Sequence, residues 1–252
     1  MAGHNKWSKV KHIKARVDAI KGRVFSKCAH EIALAARAGG GDPAANARLR
    51  TAIEQAKSVS MPRENIERAI KKGTGELGGA AMQEVTYEGY GPSGTAFLIE
   101  VATDNLNRSA QDVRTIFSKN AGAVATPGAV AYQFDRKGQL IVAAELFSAD
   151  EMLERAVMAG ADDVLSDDVE HCILTSPQSL TTVADELRAQ GVVLTSESLV
   201  FVPQTSVMLE DLAIAKQALK LYELFDSYDD THRVFTNFEL SDAVLAQIEN
   251  ES

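Results

Sequence analysis

Cysteine, proline, tryptophan and long apolar runs are all scarce in this sequence, and each shortage excludes something. The two cysteines, Cys28 and Cys172, lie 144 positions apart in a chain of 252 residues, with no partner at metal-ligand spacing. A disulfide framework or zinc site is therefore not expected, and both read as small buried hydrophobes. Six prolines, 45% hydrophobic and 24% charged residues place the chain with ordinary globular proteins, away from disordered or collagen-like ones. No stretch approaches the roughly 18 apolar residues of a membrane helix, and the basic start lacks the apolar core of a signal peptide. The expected location is cytoplasmic, with no membrane partner. A phosphate loop of the form G-x-x-x-x-G-K-[ST] is missing, as is H-E-x-x-H, and the five histidines are scattered. No catalytic residue, metal or cofactor is expected, and the chain does not read as an enzyme.

What is present is a strong segregation of charge. The net charge is -9, but residues 1–79 hold 16 Lys and Arg against 7 Asp and Glu, a balance of +9. The remaining residues hold 10 basic and 28 acidic side chains, a balance of -18. In residues 1–27, Lys6, Lys9, Lys11, Lys14, Arg16, Lys21, Arg23 and Lys27 face the single acid Asp18. A merely solvated helix face mixes both signs, so this pattern points to phosphate contact, with a solubilising acidic body behind it.

Periodicity organises the basic half. Val10, Ile13, Val17 and Ile20 form one helical stripe, with cations on the remaining surface. A second stripe, Phe25, Cys28, Ala29, Ile32 and Ala36, stops at the GGG of 39–41. Asp42 is expected to cap a third helix carrying Ala45, Leu49, Ile53 and Ala56, with Pro43 in its first turn. A short fourth helix is expected to bury Ile66, Ala69 and Ile70, to place Lys71 and Lys72 near its negative end, and to stop at Gly73.

Beyond GTGELGG at 73–79 the period becomes strand-like: EVTYE at 84–88, TAFLIEVA at 95–102 and AVAYQF at 129–134. A helix with Val113, Ile116 and Phe117 falls between the second and third runs. A turn at DRKG, 135–138, leads to QLIVAA; Ser148 and Glu151 form a capping box for a helix ending at Gly160. A strand VEHCILT, a helix with Leu180, Val183 and Leu187, and a long strand at 192–203 follow. A last helix with Leu212, Ala215, Leu219 and Tyr222 and a strand at 231–239 complete the chain. The fold class is α+β: a helical N-terminal domain, then α/β sandwiches with helices on one face of largely antiparallel sheets.

Two stretches match G-x-G-x-x-G, GTGELG at 73–78 and GYGPSG at 89–94. A dinucleotide fingerprint leaves a strand and opens a helix, and neither stretch has that context. A dinucleotide-binding enzyme thus stands only as a remote alternative, requiring a cofactor-sized pocket beside 89–94. The pairs Asp162-Asp163, Asp167-Asp168 and Asp229-Asp230 read as solvated surface. Trp7, the sole tryptophan, suits two roles: anchoring the arm on the helical domain, or stacking on an unpaired base while its neighbours hold phosphates.

The opening MAGHNKWSKVKHIKA, the stretch at 35–57, MPRENIERAIKKGTGEL at 61–77, YEGYGPSG at 87–94, TDNLNRS at 103–109 and AYQFDRKG at 131–138 closely resemble the YebC/PmpR family, nearly end to end. The resemblance implies a helical domain at 1–79, a ferredoxin-like middle domain at 80–135 plus 204–252, and a third α/β domain, 136–203, inserted in the second. It implies a DNA-binding transcriptional regulator, or alternatively a ribosome-associated translation factor binding ribosomal RNA; the mitochondrial relative is a translational activator of cytochrome c oxidase subunit I. Leu106 stands where the family often has arginine, and the C-terminal strand departs from the usual pattern. Candidate nucleic-acid contacts are Lys6, Trp7, Lys9, Lys11, His12, Lys14, Arg16, Lys21, Arg23 and Lys27 of the arm, and Arg63, Arg68, Lys71 and Lys72 of the fourth helix. The resemblance adds Asn105, Asn107 and Arg108. The sequence leaves the oligomeric state open.

Overall fold

The computed structural model describes residues 21–251; the stripe at 10–20 and the arm residues before Lys21 lie outside them. The helices are α1 (Lys21–Gly39), α2 (Ala47–Ser58), α3 (Arg63–Thr74), α4 (Leu106–Lys119), α5 (Ala149–Ala159), α6 (Leu180–Ala189), α7 (Leu212–Asp226) and α8 (Asp242–Glu251). The strands are β1 (Gln83–Tyr90), β2 (Ala96–Thr103), β3 (Ala123–Val124), β4 (Phe134–Ala143), β5 (Asp163–Ser166), β6 (Glu170–Thr175), β7 (Ser196–Pro203), β8 (Val207–Leu209), β9 (Thr231–Thr236) and β10 (Phe238–Leu240). The chain is α+β, a helical region followed by α/β sheets. Its described residues form two compact units: Tyr132–Met208, and 21–131 together with 209–251.

In the helical region, α1, α2 and α3 bury Ile32, Ala36, Leu49, Ala56, Ile66 and Ala69 together, the residues at helical spacing. Two helix ends differ from expectation. Asp42 accepts the N–H of Ala44 at 2.9 Å and only closes a turn. The cap of α2 is Asn46, whose Oδ1 accepts the Leu49 N–H at 3.0 Å while Nδ2 donates to Ala35 O at 2.8 Å and Gly40 O at 2.9 Å. An amide supplies both acceptor and donor in this buried place, and a carboxylate does not. Gly73 does not end α3 but lies inside it, where a Cβ would collide with the Ala33 carbonyl of α1. The helix stops at Gly75, whose φ of 83° is left-handed.

The first sheet has the order β3-β1-β2-β9, with every pairing antiparallel. Strand β2 is apolar on both sides because both are covered. Phe97 meets Phe117 of α4 and Phe225 of α7, with centroids 6.2 and 6.3 Å away, and those two rings are 4.6 Å apart. Ala102, on the opposite face, packs with Met82 and with Ala33 and Leu34 of α1. AVAYQF is not a strand until its last residue, Phe134, which opens β4. The Glu88 carboxylate takes the N–H groups of Gly128 (2.6 Å), Val130 (2.7 Å) and Ala131 (2.9 Å) that a ladder would need, and holds the segment as turns. Burial pushes this carboxyl up, but the three donors outweigh it and hold it below its ordinary value.

In the unit Tyr132–Met208 the sheet order is β5-β6-β4-β7, again antiparallel. DRKG is not a turn: β4 runs straight through it, paired with β7, and Gly138 leaves room for Leu180 of α6 to pack against the strand. Leu140, Val142 and Ile173 from the sheet pack with Met152 and Ala156 of α5 and with Val183 and Leu187 of α6. The Ser148–Glu151 capping box is present, and the helix it opens is followed by Gly160. His171 is a core residue: Nε2 donates to the Phe147 carbonyl at 2.8 Å, and Nδ1 shares a hydrogen bond of 2.7 Å with Ser166 Oγ. The strand expected at 192–203 begins only at Ser196, and β3, β5, β8 and α8 carried no sequence signal strong enough to be expected.

Candidate nucleic-acid interface

The described part of the basic helical region presents its cations unequally. On α3, Arg68 and Lys71 are exposed and form no ion pair among the described residues. Arg63 is also exposed but pairs with Glu67 one turn on, at 2.7 Å. Lys72 turns instead toward the sheet and donates to Asp104 Oδ2 at 3.0 Å. Lys27 of α1 pairs with Asp226 at 2.6 Å. Lys6, Trp7, Lys9, Lys11, His12, Lys14 and Arg16 lie outside the described residues, as do the side chains of Lys21 and Arg23.

The TDNLNRS segment starts α4. Asn105 is its N-cap, accepting the Arg108 N–H at 3.1 Å, and Asn107 is exposed beside it. Arg108 reaches back over the cap. Its Nη2 donates to Asp230 Oδ2 at 2.7 Å and to Asp104 Oδ1 at 3.3 Å. Thr103 Oγ1 also donates to Asp230, at 2.9 Å, and Tyr228 Oη donates to Asp112 at 2.9 Å. The ammonium of Lys72 holds the Asp104 carboxyl low against some desolvation, and Arg108 adds to the effect. The bond to Asp230 raises Arg108 further into its charged form. Burial, then Asp112 and Asp230, raise the Tyr228 phenol. Two separate sequence motifs, IKKG of α3 and DNLNR of α4, thus meet on the two oxygens of one carboxylate. Contrary to the expectation for Asp229-Asp230, Asp230 is a buried, multiply bonded acceptor and not solvated surface.

The same seam between helical region and sheet carries more charge. Arg48 bridges Glu31 (2.8 Å) and Glu84 (2.8 Å). His232 Nε2 stands 3.4 Å from Glu31 Oε2. Its Nδ1, like that of His30, is buried without a hydrogen-bond partner among the described residues. Burial lowers the affinity of both imidazoles for a proton, bringing His232 down to about 4 despite Glu31. Elsewhere, GYGPSG closes the hairpin between β1 and β2, with Gly91 against Phe97 and Leu221. Among the described residues no cluster of three His, Cys, Asp or Glu is placed to hold a metal ion, and no helix is long and apolar enough to cross a membrane.

Residues 5–76 match the TACO1/YebC protein N-terminal domain, and residues 82–238 match the TACO1/YebC second and third domain. The chain belongs to the TACO1/YebC family. A relative from Akkermansia muciniphila, named a probable transcriptional regulatory protein, is 56% identical over 98% of this chain and 100% of its own. Another of that name, from a Sulfurihydrogenibium species, is 46% identical over 99% and 100%. The crystal structure of a conserved hypothetical protein from Aquifex aeolicus superposes with a TM-score of 0.86 at 44% identity, covering 94% of this chain and 97% of that one.

Within this family member, sequence reasoning missed the acids that organise the candidate cations. Asp104 and Asp230 lie 4 and 122 positions from Arg108. The first could have been found, since an Asp four residues before an Arg at a helix start is an ion-pair spacing. Nothing local marks the second. The cysteines also differ from expectation, both being half-buried: Cys28 lies against the helical core with its thiol raised by desolvation, and Cys172 accepts from Gln139 Nε2 at 3.1 Å.

Proposed function

We propose that this chain is a non-enzymatic nucleic-acid-binding regulator of gene expression, nominally a DNA-binding transcriptional regulator, that contacts its target through the helical region. The observation that carries the reading is the charge segregation, +9 over residues 1–79 against -18 over the rest. The exposed Arg68 and Lys71 agree with it, as does the name its relatives carry. Electrostatic contact with phosphates is sequence-independent, so it accounts for affinity before specificity.

A second reading, a ribosome-associated translation factor binding ribosomal RNA, is favoured by the make-up of the arm. Its cations are mostly lysines, good for phosphate but poor for bidentate base reading, and Trp7 suits unpaired bases. Two measurements test these readings. If about six arm cations neutralise phosphates, log affinity against log salt has a slope of roughly -4 to -5, and replacing Lys9, Lys11, Lys14 and Arg16 by Ala flattens it. An unchanged slope removes the arm from the interface. Promoter DNA competed against random DNA, beside gradient sedimentation of extract with and without nuclease, separates the roles. Selectivity of only a few-fold with nuclease-sensitive ribosome co-sedimentation favours translation, since specific DNA regulators gain about 10³-fold or more.

A further inference from the structure

We propose that Lys72 and Arg108 form a phosphate contact point that the protein holds self-neutralised, with the Asp104 carboxylate occupying the place a nucleic-acid phosphate takes on binding. This rests on the nucleic-acid reading above and adds a regulator to its surface. The two cations come from different elements, α3 and α4, yet each donates to a different oxygen of Asp104, at 3.0 and 3.3 Å. A phosphate offers the same arrangement of anionic acceptors and accepts the guanidinium fork as readily.

The two carboxylates holding Arg108 are not equivalent. Asp230 has a side chain only 12% exposed, takes the shorter bond of 2.7 Å, and is also bonded to Thr103. It aims the guanidinium and stays in place. Asp104 is 33% exposed, and its partners Lys72 and Arg108 are 40% and 49% exposed. Such open ion pairs are weak in water and exchange for a competing anion without leaving a buried charge unpaired. The N-terminus of α4 favours an anion at this place whether it is carboxylate or phosphate. Arg68 and Lys71 on the exposed face of α3 extend the contact beyond the pair. Asp104 therefore weakens non-specific binding, so that only a target engaging the rest of the surface displaces it.

The test uses the full chain, a fluorescein-labelled random 20-bp DNA duplex and a 20-nucleotide U-rich RNA, with anisotropy read across salt concentrations. Asp104→Asn strengthens binding by about 3- to 10-fold near 100 mM salt and steepens the log–log slope by about one. Adding Lys72→Gln and Arg108→Gln abolishes the gain. Glu54→Gln, which removes one exposed acid of α2 and the same charge, changes affinity by less than about 1.5-fold, because diffuse charge is screened. An equal gain from Glu54→Gln, or none from Asp104→Asn, overturns the proposal while leaving nucleic-acid binding intact. Should circular dichroism show Asp104→Asn unfolded, Lys72→Gln carries the test: about 3-fold weaker binding supports the contact, and unchanged affinity overturns it. Failure of every protein, wild type included, to bind either probe overturns the nucleic-acid reading itself.

Discussion

The two faces of the β3-β1-β2-β9 sheet are covered in chemically opposite ways. Against α4 and α7 it presents Phe97, closed over by Phe117, Phe225 and Phe238 with all centroids within about 6 Å of the Phe97 ring. Against the helical region it offers a few small apolar contacts, Ala33, Leu34, Met82 and Ala102. The rest of that seam is charged or polar: Lys27–Asp226, Arg48 between Glu31 and Glu84, Lys72–Asp104, and two half-buried imidazoles, each with an Nδ1 that has no hydrogen-bond partner among the described residues. A dry aromatic face is stable and insensitive to salt and pH. A charged seam with unsatisfied imidazoles responds to both. The comparison therefore separates a permanent core from a joint that conditions can loosen.

The largest effect expected lies on the aromatic face. Phe117→Ala removes the ring shared by Phe97 and Phe225 and leaves a cavity among rigid neighbours. It costs about 3–5 kcal/mol in urea unfolding, with little dependence on salt or on pH between about 5 and 8. A loss below about 1 kcal/mol would mean that this face is no more of a core than the seam.

Acid comes next, and acts on the seam first. His30 and His232 take up protons less readily when folded, so the unfolded chain binds more protons below the ordinary histidine value of 6.5. Their contribution is complete above that value and is lost as pH falls through the folded values, which for His232 is about 4; His232 alone accounts for about 3 kcal/mol by linkage. The protection factors of α1 amides, with the intrinsic pH dependence of exchange divided out, should fall across this window, and His232→Phe should remove part of the response. Unchanged α1 protection factors between pH 7 and 4.5 contradict a histidine-sensitive joint.

Glu88 sharpens the contrast because it is polar yet belongs to the permanent side. Its carboxylate satisfies three backbone donors of the 128–131 segment. Its lowered proton affinity stabilises the fold above the ordinary carboxylate value of 4.5, and that contribution is lost as pH falls through the lower folded value. Glu88→Gln should cost roughly 2 kcal/mol at neutral pH, with faster exchange at Gly128, Val130 and Ala131. Unaltered exchange there would show that the loop holds itself.

How much of this was legible in the sequence follows from the range of each interaction. The stripes of α1, α2 and α3, the alternation of β1, and the Ser148–Glu151 cap are set by residues within one or two turns, and were read directly. AVAYQF failed because its strand-like composition is overruled by Glu88, some 40 positions earlier. Gly73 reads as a stop in the sequence but is a crossing point, since a close helix contact and a helix end ask for the same residue. Of the candidate interface, the sequence supplied the cations and their helices. That Lys27, Lys72 and Arg108 are each matched by an acid from the sheet region depends on chain separations of 199, 32 and 122 positions, beyond any local pattern.

The smallest effect expected is also the one most specific to the seam. Lys27 and Asp226 approach to 2.6 Å, but their side chains are 29% and 43% exposed, so solvent screens the pair. Exposed pairs of this kind contribute about 0.2–1 kcal/mol, and Lys27→Ala should destabilise the protein by less than about 1 kcal/mol at low salt. The difference between wild type and variant should shrink further by 0.5 M NaCl, where the screening length falls to a few ångströms. Because Lys27 is also a candidate phosphate contact, the variant tells the two roles apart: a residue committed to Asp226 leaves nucleic-acid affinity nearly unchanged. A several-fold loss of affinity at unaltered stability would instead mean that the pair opens on binding, as argued for Lys72 and Asp104, and that the whole seam exchanges its carboxylates for phosphates.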